Sequence, residues 1–148
     1  MTSRRIISFL NLLMGFGLLL VGFLHFLILG DLDDFISGQL QSKMEVDQYI
    51  PAIFRLNSIG SGVFVLLLGI IQIYTSGAGL RRGKIWGRNL AVWLGLGLLM
   101  LSLILWKSAP RILMEAEVFK ITLISLATVG VITFFPLLLF WKHFNERH

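Results

Sequence analysis

Four long apolar runs without Asp, Glu, Lys or Arg occupy more than half of this 148-residue chain. They are Ile6–Leu29, Leu56–Leu80, Asn89–Trp106 and Ile121–Trp141. About 20 residues at a rise of 1.5 Å each cross the roughly 30 Å hydrocarbon core of a bilayer, where the backbone must satisfy its own hydrogen bonds. Each run therefore predicts one membrane-spanning helix, at about 5–29, 54–76, 86–107 and 112–142.

The predicted fold class is all-α. We expect an integral membrane protein with four transmembrane helices in an up-down antiparallel bundle, because the links are short enough to join only neighbouring helices. Hydrophobic residues make up 56% of the chain and charged residues 14%, so the chain lacks the polar surface that a soluble protein needs. The length predicts a single transmembrane domain over residues 1–148.

The segment between the first two runs has a helical pattern of its own. Ile36, Leu40 and Met44 recur every four residues among polar side chains. This spacing is typical of a short amphipathic helix, which we expect to lie along the outer membrane interface. Pro51 is predicted to end it before the second spanning helix begins.

Charged residues are distributed unevenly between the two sides of this topology. The side with both termini and the link after the second run holds eight Lys and Arg and one acid, whereas the other side holds five Lys and Arg and seven acids. The positive-inside rule therefore predicts a multi-pass protein of the plasma (inner) membrane with cytoplasmic N- and C-termini. Nucleic-acid binding is not expected, because no aromatic platform is interleaved with the basic residues.

Small and polar residues spaced three or four apart predict the faces on which the helices meet, because close packing supplies the attraction between helices in lipid. The row in the first run is Ser8, Asn11, Gly15, Leu18, Gly22 and His25. A weaker row in the fourth run is Thr122, Ser125, Val129, Ile132 and Pro136. The residues predicted to pack helix against helix are Gly15, Gly22, Gly62, Gly69, Gly95, Ser102 and Ser125.

Side chains that could bind a ligand gather near the predicted outer leaflet. His25 lies near the outer end of the first helix, Arg55 and Asn57 open the second, and Lys120 begins the fourth. Ionisable groups in a membrane are costly, so these four residues form the candidate ligand site. The alternative is structural: the cations extend to the headgroups, and a neutral His25 bonds a neighbouring serine.

No catalytic signature appears in the sequence. The chain has no cysteine, and it lacks the HExxH, GxSxG and Walker patterns. One embedded histidine cannot supply the paired axial ligands of a typical membrane b-type haem. We therefore predict no catalytic residue, metal or cofactor, and the sequence favours a non-enzymatic role.

One arrangement of residues resembles a known group of proteins. Phe54-Arg55-Leu56 precedes a glycine-containing run, and Gly79-Leu80-Arg81-Arg82-Gly83-Lys84-Ile85-Trp86-Gly87-Arg88 joins the second run to the third. Over the first three helices this is similar to small uncharacterised prokaryotic four-helix membrane proteins, including the DoxX-like group. The resemblance implies an accessory role in membrane redox or quinone chemistry, and it transfers no catalytic residue to this chain.

Three functions remain open at this point. The preferred one is a non-enzymatic accessory subunit or a module that binds lipid or another hydrophobic ligand between its helices. A small oligomeric transporter or channel is the second, favoured by Asn11, Gln72 and His25 on inward rows. A quinone-linked membrane redox partner is the third. The predicted partners are membrane lipid and either another membrane protein or further copies of the chain.

Overall fold

The described part of the protein consists of helices joined or ended by short turns. A computed structural model of the chain describes residues 3–27, 49–109 and 117–140. Its elements are α1 (Ser3–Leu27), α2 (Tyr49–Tyr74), a π-helical segment (Thr75–Leu80), α3 (Ile85–Ser108) and α4 (Glu117–Leu139). Four helices in these ranges are long and apolar enough to cross a membrane, which confirms the number predicted from the sequence.

Two predictions concern the chain before α2. The amphipathic helix predicted around Ile36, Leu40 and Met44 lies outside the described residues. Helix α2 begins at Tyr49, so Pro51 is the third residue of α2 and not the boundary that was predicted to precede it. Proline is tolerated in the first turn because the N–H that it lacks would have no partner within the helix.

Helix α1 packs along α2 and also contacts α4, and α3 packs along α4. Residue numbers rise along α1 as they fall along α2, since Ser8 bonds Ser76 while Gly22 lies against Leu66. We call the end of the bundle that contains residues 81–84 the turn end. The opposite end, where α1 finishes and α4 starts, is the far end.

Glycines allow α1 and α2 to approach each other closely. A methyl group added at Gly69 would lie 2.9 Å from the carbonyl oxygen of Gly15, and one added at Gly15 would lie 3.1 Å from the carbonyl oxygen of Gly69. Backbone therefore packs on backbone, and no larger residue fits without moving a helix. The glycines predicted to pack that are buried against a neighbouring helix are Gly15, Gly22, Gly62, Gly69 and Gly95.

The inward face of α4 differs from the row of small residues in the sequence. Ser125 is only half-buried, as are Thr122, Ile132 and Pro136. The buried residues described in this helix are Leu126, Val129, Gly130, Thr133 and Leu137. The face is displaced because leucines fill the core here, while the close approach to α3 is made at Gly130, which packs on Leu99.

Glycines also allow the π-helical segment and α3 to approach each other closely at the turn end. A methyl group added at Gly79 would lie 2.5 Å from the Cα of Gly87, so the two backbones touch. Gly83 has a φ of 66°, in the left-handed region that glycine occupies without strain. Beyond this contact α2 and α3 separate along the rest of their length, which leaves a space between them.

Candidate functional site

His25, the centre of the site predicted from the sequence, is buried and points between helices. Its Nδ1 donates a hydrogen bond to the carbonyl oxygen of Val21 at 2.9 Å. Its Nε2 lies 3.3 Å from the hydroxyl of Thr122 on α4. A carbonyl can only accept, so Nδ1 carries a proton, while Nε2 and the threonine hydroxyl are within hydrogen-bond distance of each other. His25 thus links α1 to α4 at the far end.

The other residues of the predicted outer site lie at the surface. Arg55, Asn57 and Lys120 are all exposed. The immediate neighbour of His25 on α2 is Gly62, where an added methyl group would lie 2.9 Å from the histidine Cβ. The structure therefore joins His25 to a threonine and a glycine, and the hydrogen bonds described above use both ring nitrogens for helix packing.

A second polar cluster, nearer the turn end, is more deeply buried. The side-chain amide of Gln72 donates to Asn11 Oδ1 and to Thr133 Oγ1, both at 2.7 Å. Asn11 Nδ2 donates in turn to the carbonyl oxygen of Ile7 at 3.0 Å. Gln72, Asn11 and Thr133 are at most 1% exposed. These bonds connect α1, α2 and α4, and we call the three residues the amide cluster.

The carbonyl of Ile7 fixes the orientation of both amides. Because it can only accept, the NH₂ group of Asn11 must face it, and Asn11 Oδ1 must then face the NH₂ group of Gln72. Among the described residues, this arrangement leaves Gln72 Oε1 buried without a hydrogen-bond partner, and the buried hydroxyl of Thr75 also has none. An unpaired buried polar atom typically lowers the free energy of unfolding by about 1–3 kcal/mol. A water molecule that donated a hydrogen bond to Gln72 Oε1 would therefore stabilise the protein.

Polar contacts continue from the amide cluster to the turn end. The hydroxyl of Ser8 donates to the carbonyl oxygen of Ser76 at 3.0 Å, and the hydroxyl of Ser76 donates to the carbonyl oxygen of Ser8 at 2.5 Å. Arg88, in the first turn of α3, is only 6% exposed and donates from Nε and Nη2 to Asn89 Oδ1. Most of the buried polar side chains therefore lie in the half of the bundle opposite His25.

An apolar groove of about 430 Å³ opens between α2 and α3. Its walls are Phe64, Leu68, Leu90, Trp93, Leu94, Gly97, Leu98 and Leu101. Nothing lies within 4 Å of a methyl group added at Gly97, so this glycine leaves space in the wall. The groove has no signal in the sequence, because the separation of α2 and α3 depends on how the turn directs the two helices.

The polar contacts of the described residues join helices to one another. Among residues 3–27, 49–109 and 117–140 there is no group of three or more His, Cys, Asp or Glu side chains placed to hold a metal ion. Comparison of the chain with protein-family profiles, curated proteins and solved structures gives no match. The similarity to DoxX-like proteins stays a prediction from the sequence.

Proposed function

We propose that this chain is an integral membrane protein that binds the hydrocarbon part of a lipid or another amphiphile in the groove between α2 and α3. Its four helices cross the plasma membrane as an up-down bundle with the 81–84 turn and both termini in the cytoplasm. The role is non-enzymatic, as a lipid-binding module or an accessory subunit. The observation that carries the proposal is the groove itself.

The outward faces of the helices support insertion into a membrane. Large apolar side chains point outward on every helix, including Leu20 at 68%, Trp93 at 70% and Ile124 at 65% exposed. Monomeric soluble proteins rarely expose contiguous apolar patches of more than a few hundred Å². In a membrane these side chains contact hydrocarbon instead of water, so their exposure carries no hydration cost. The order of contacts along neighbouring helices fits helices that cross the membrane in opposite directions.

The shape and lining of the groove support an amphiphile as its ligand. Phe64 and Leu68 on one side face leucines and Trp93 on the other, so the wall is apolar throughout. A flexible hydrocarbon chain can follow such an irregular wall. Gly97 contributes no side chain to the wall, so it leaves space in the groove that a large side chain would occupy.

Topology can be tested with single cysteines, because the natural chain has none. We expect Arg82→Cys to react with a membrane-impermeant thiol reagent only from the cytoplasmic side and Ser108→Cys only from the outside. Both positions are exposed. Arg82 lies in the turn just before α3, and Ser108 is the last residue of α3. Thr128→Cys, exposed midway along α4, is the control and should stay unlabelled in lipid. The reverse pattern of labelling would overturn the proposed orientation.

Filling the groove should displace its ligand. We expect Gly97→Leu to lower the fraction of protein that retains lipid in native mass spectrometry by about tenfold, because the leucine side chain would occupy the space of the ligand; a tenfold loss of affinity corresponds to about 1.4 kcal/mol. The matched control is Gly17→Leu, because Gly17 also has nothing within 4 Å of an added methyl group but lies on α1, outside the groove.

Equal retention by the Gly97→Leu variant, the Gly17→Leu variant and the natural chain would contradict the proposed site. The same spectra identify the ligand by mass. A retained quinone would favour the redox alternative over a lipid-binding module.

Transport by an oligomer is a second candidate function, and the unpartnered Gln72 Oε1 and Thr75 Oγ1 favour it. A hydrated path past these atoms would make proteoliposomes permeable to water or small polar solutes. Gln72→Leu would then abolish the permeability. Liposomes that remain tight with the natural chain would count against transport.

A further inference from the structure

The length of the groove limits what can occupy it. Its wall on α3 runs from Leu90 to Leu101, which is about 16 Å along the helix axis at a rise of 1.5 Å per residue. A bilayer's hydrocarbon core is about 30 Å thick, so the groove covers the depth of one leaflet. The chain of a lipid in one leaflet extends over about this depth, so the groove is long enough to hold one.

Aromatic residues mark the level at which the groove meets water. The rings of Tyr74 and Trp86 stack with their centroids 5.8 Å apart, which joins the end of α2 to the start of α3. Both rings are partly exposed. Tyr and Trp concentrate at membrane interfaces, where an apolar ring body meets a polar tip. The Leu90 end of the groove therefore lies just below the headgroup region on the turn side.

Positive charge is concentrated beside that end of the groove. Arg81, Arg82 and Lys84 are exposed in the turn that leads into α3. Among the described residues Glu117 is the one acidic side chain, and it lies at the far end. Helix α3 begins directly after Lys84 without a side-chain cap, so the partial positive charge of its N-terminus adds to the three cations.

We infer that the groove takes one anionic phospholipid from the leaflet on the turn side, with a chain between α2 and α3 and its headgroup at Arg81, Arg82 and Lys84. This inference rests on the proposed function, that the groove binds a hydrocarbon chain. The apolar wall supplies affinity for any lipid chain. The cations select the headgroup, because a juxtamembrane Lys or Arg attracts anionic lipid.

The test compares two lipids with identical chains and different headgroups. Purified protein is incubated with phosphatidylglycerol or phosphatidylcholine, and bound lipid is counted by native mass spectrometry. We expect phosphatidylglycerol to be preferred, with the preference falling about fivefold for each cation replaced in Arg81→Gln, Arg82→Gln and Lys84→Gln. Raising the ionic strength should also weaken the preference. Lys107→Gln is the control, since Lys107 is an exposed cation at the far end.

Failure of this inference can be told apart from failure of the proposed function. If both lipids are retained equally and Gly97→Leu displaces both, the groove binds lipid but the headgroup inference is wrong. If phosphatidylglycerol is preferred but Gly97→Leu leaves its retention unchanged, the cations bind lipid without the groove and both proposals are overturned. If Gly97→Leu instead dissociates an oligomer, a second copy occupies the groove and the inference is also overturned.

Discussion

Gly69→Leu should lower the free energy of unfolding in detergent by about 1–3 kcal/mol, because the added side chain has nowhere to go. A Cβ at Gly69 would lie 2.9 Å from the carbonyl oxygen of Gly15 and 3.0 Å from the backbone nitrogen of Leu19. Backbone atoms cannot rotate aside as a flexible side chain can. The helices α1 and α2 must therefore move apart, and their contact is lost over several turns. Thermal unfolding in one detergent is the measurement.

The control for this change is Gly60→Leu, in the same helix. Nothing lies within 4 Å of a Cβ at Gly60, so leucine there adds no clash. Glycine is about 0.8–1.0 kcal/mol less favourable than alanine within a helix, and leucine is nearly as good as alanine. We therefore expect Gly60→Leu to leave stability unchanged or raise it slightly. Equal destabilisation by both substitutions would contradict the assigned helix contact.

The packing faces of α1 and α3 could be predicted from the sequence because small residues recur there at helical spacing. All six residues of the α1 row, from Ser8 to His25, are buried. Gly95 and Ser102 on α3 are buried as well. In lipid a helix gains little from turning a leucine inward, so the positions where backbones can approach decide which face meets a neighbour.

The spacing of small residues predicts the packing face of α4 less well, because large residues form the contacts of this helix with its neighbours. Leu126, Val129 and Leu137 fill the space between the helix pairs, and Thr133 faces Gln72. A leucine that fills a core and a leucine that faces lipid are identical in a sequence. The half-buried Ser125 shows that a small residue does not by itself identify the inward face.

Neither the groove nor the π-helical segment could be predicted from periodicity. Thr75–Leu80 follows α2 without any Asp, Glu, Lys or Arg to mark a boundary, and the wider turn changes the direction in which the following residues point. The backbones of the π-helical segment and α3 touch at Gly79 and Gly87, and α2 and α3 separate from this point onward. Such a separation depends on three-dimensional geometry at one point of the chain.

The site predicted from the sequence consists mostly of ionisable residues, whereas the most deeply buried polar contacts in the structure join uncharged side chains. Arg55 and Lys120 are predicted to belong to a ligand site because charge in a membrane is costly, and both lie at the surface. Asn11 and Gln72 are 61 positions apart, so their bond could not be read from local spacing. The only signal for this cluster in the sequence is the placement of Asn11 and Gln72 on the faces predicted to turn inward. Thr133 is not predicted, because it lies off the row of small residues in α4.

Gln72→Leu should destabilise the protein by about 1–3 kcal/mol, because it removes the donor shared by Asn11 and Thr133. Asn11 Oδ1 is then left buried without its partner. The control is Ser102→Ala. Ser102 is also buried, but its hydroxyl bonds only the carbonyl of Leu99 within α3 in the described contacts, so its loss should cost much less.

A double-mutant cycle separates the hydrogen bond from the packing of the side chains. Asn11→Leu should also be destabilising, since it leaves the amide of Gln72 with one acceptor fewer. When both partners become leucine, no polar atom of this pair remains unpaired, and such paired replacements can be nearly neutral. We therefore expect the double variant to lose less stability than the sum of the single losses, by roughly 0.6–1.7 kcal/mol, the range for interhelical bonds in membrane proteins. Strictly additive losses would mean that the two amides do not stabilise each other, and the amide cluster would then be no more than a set of buried side chains.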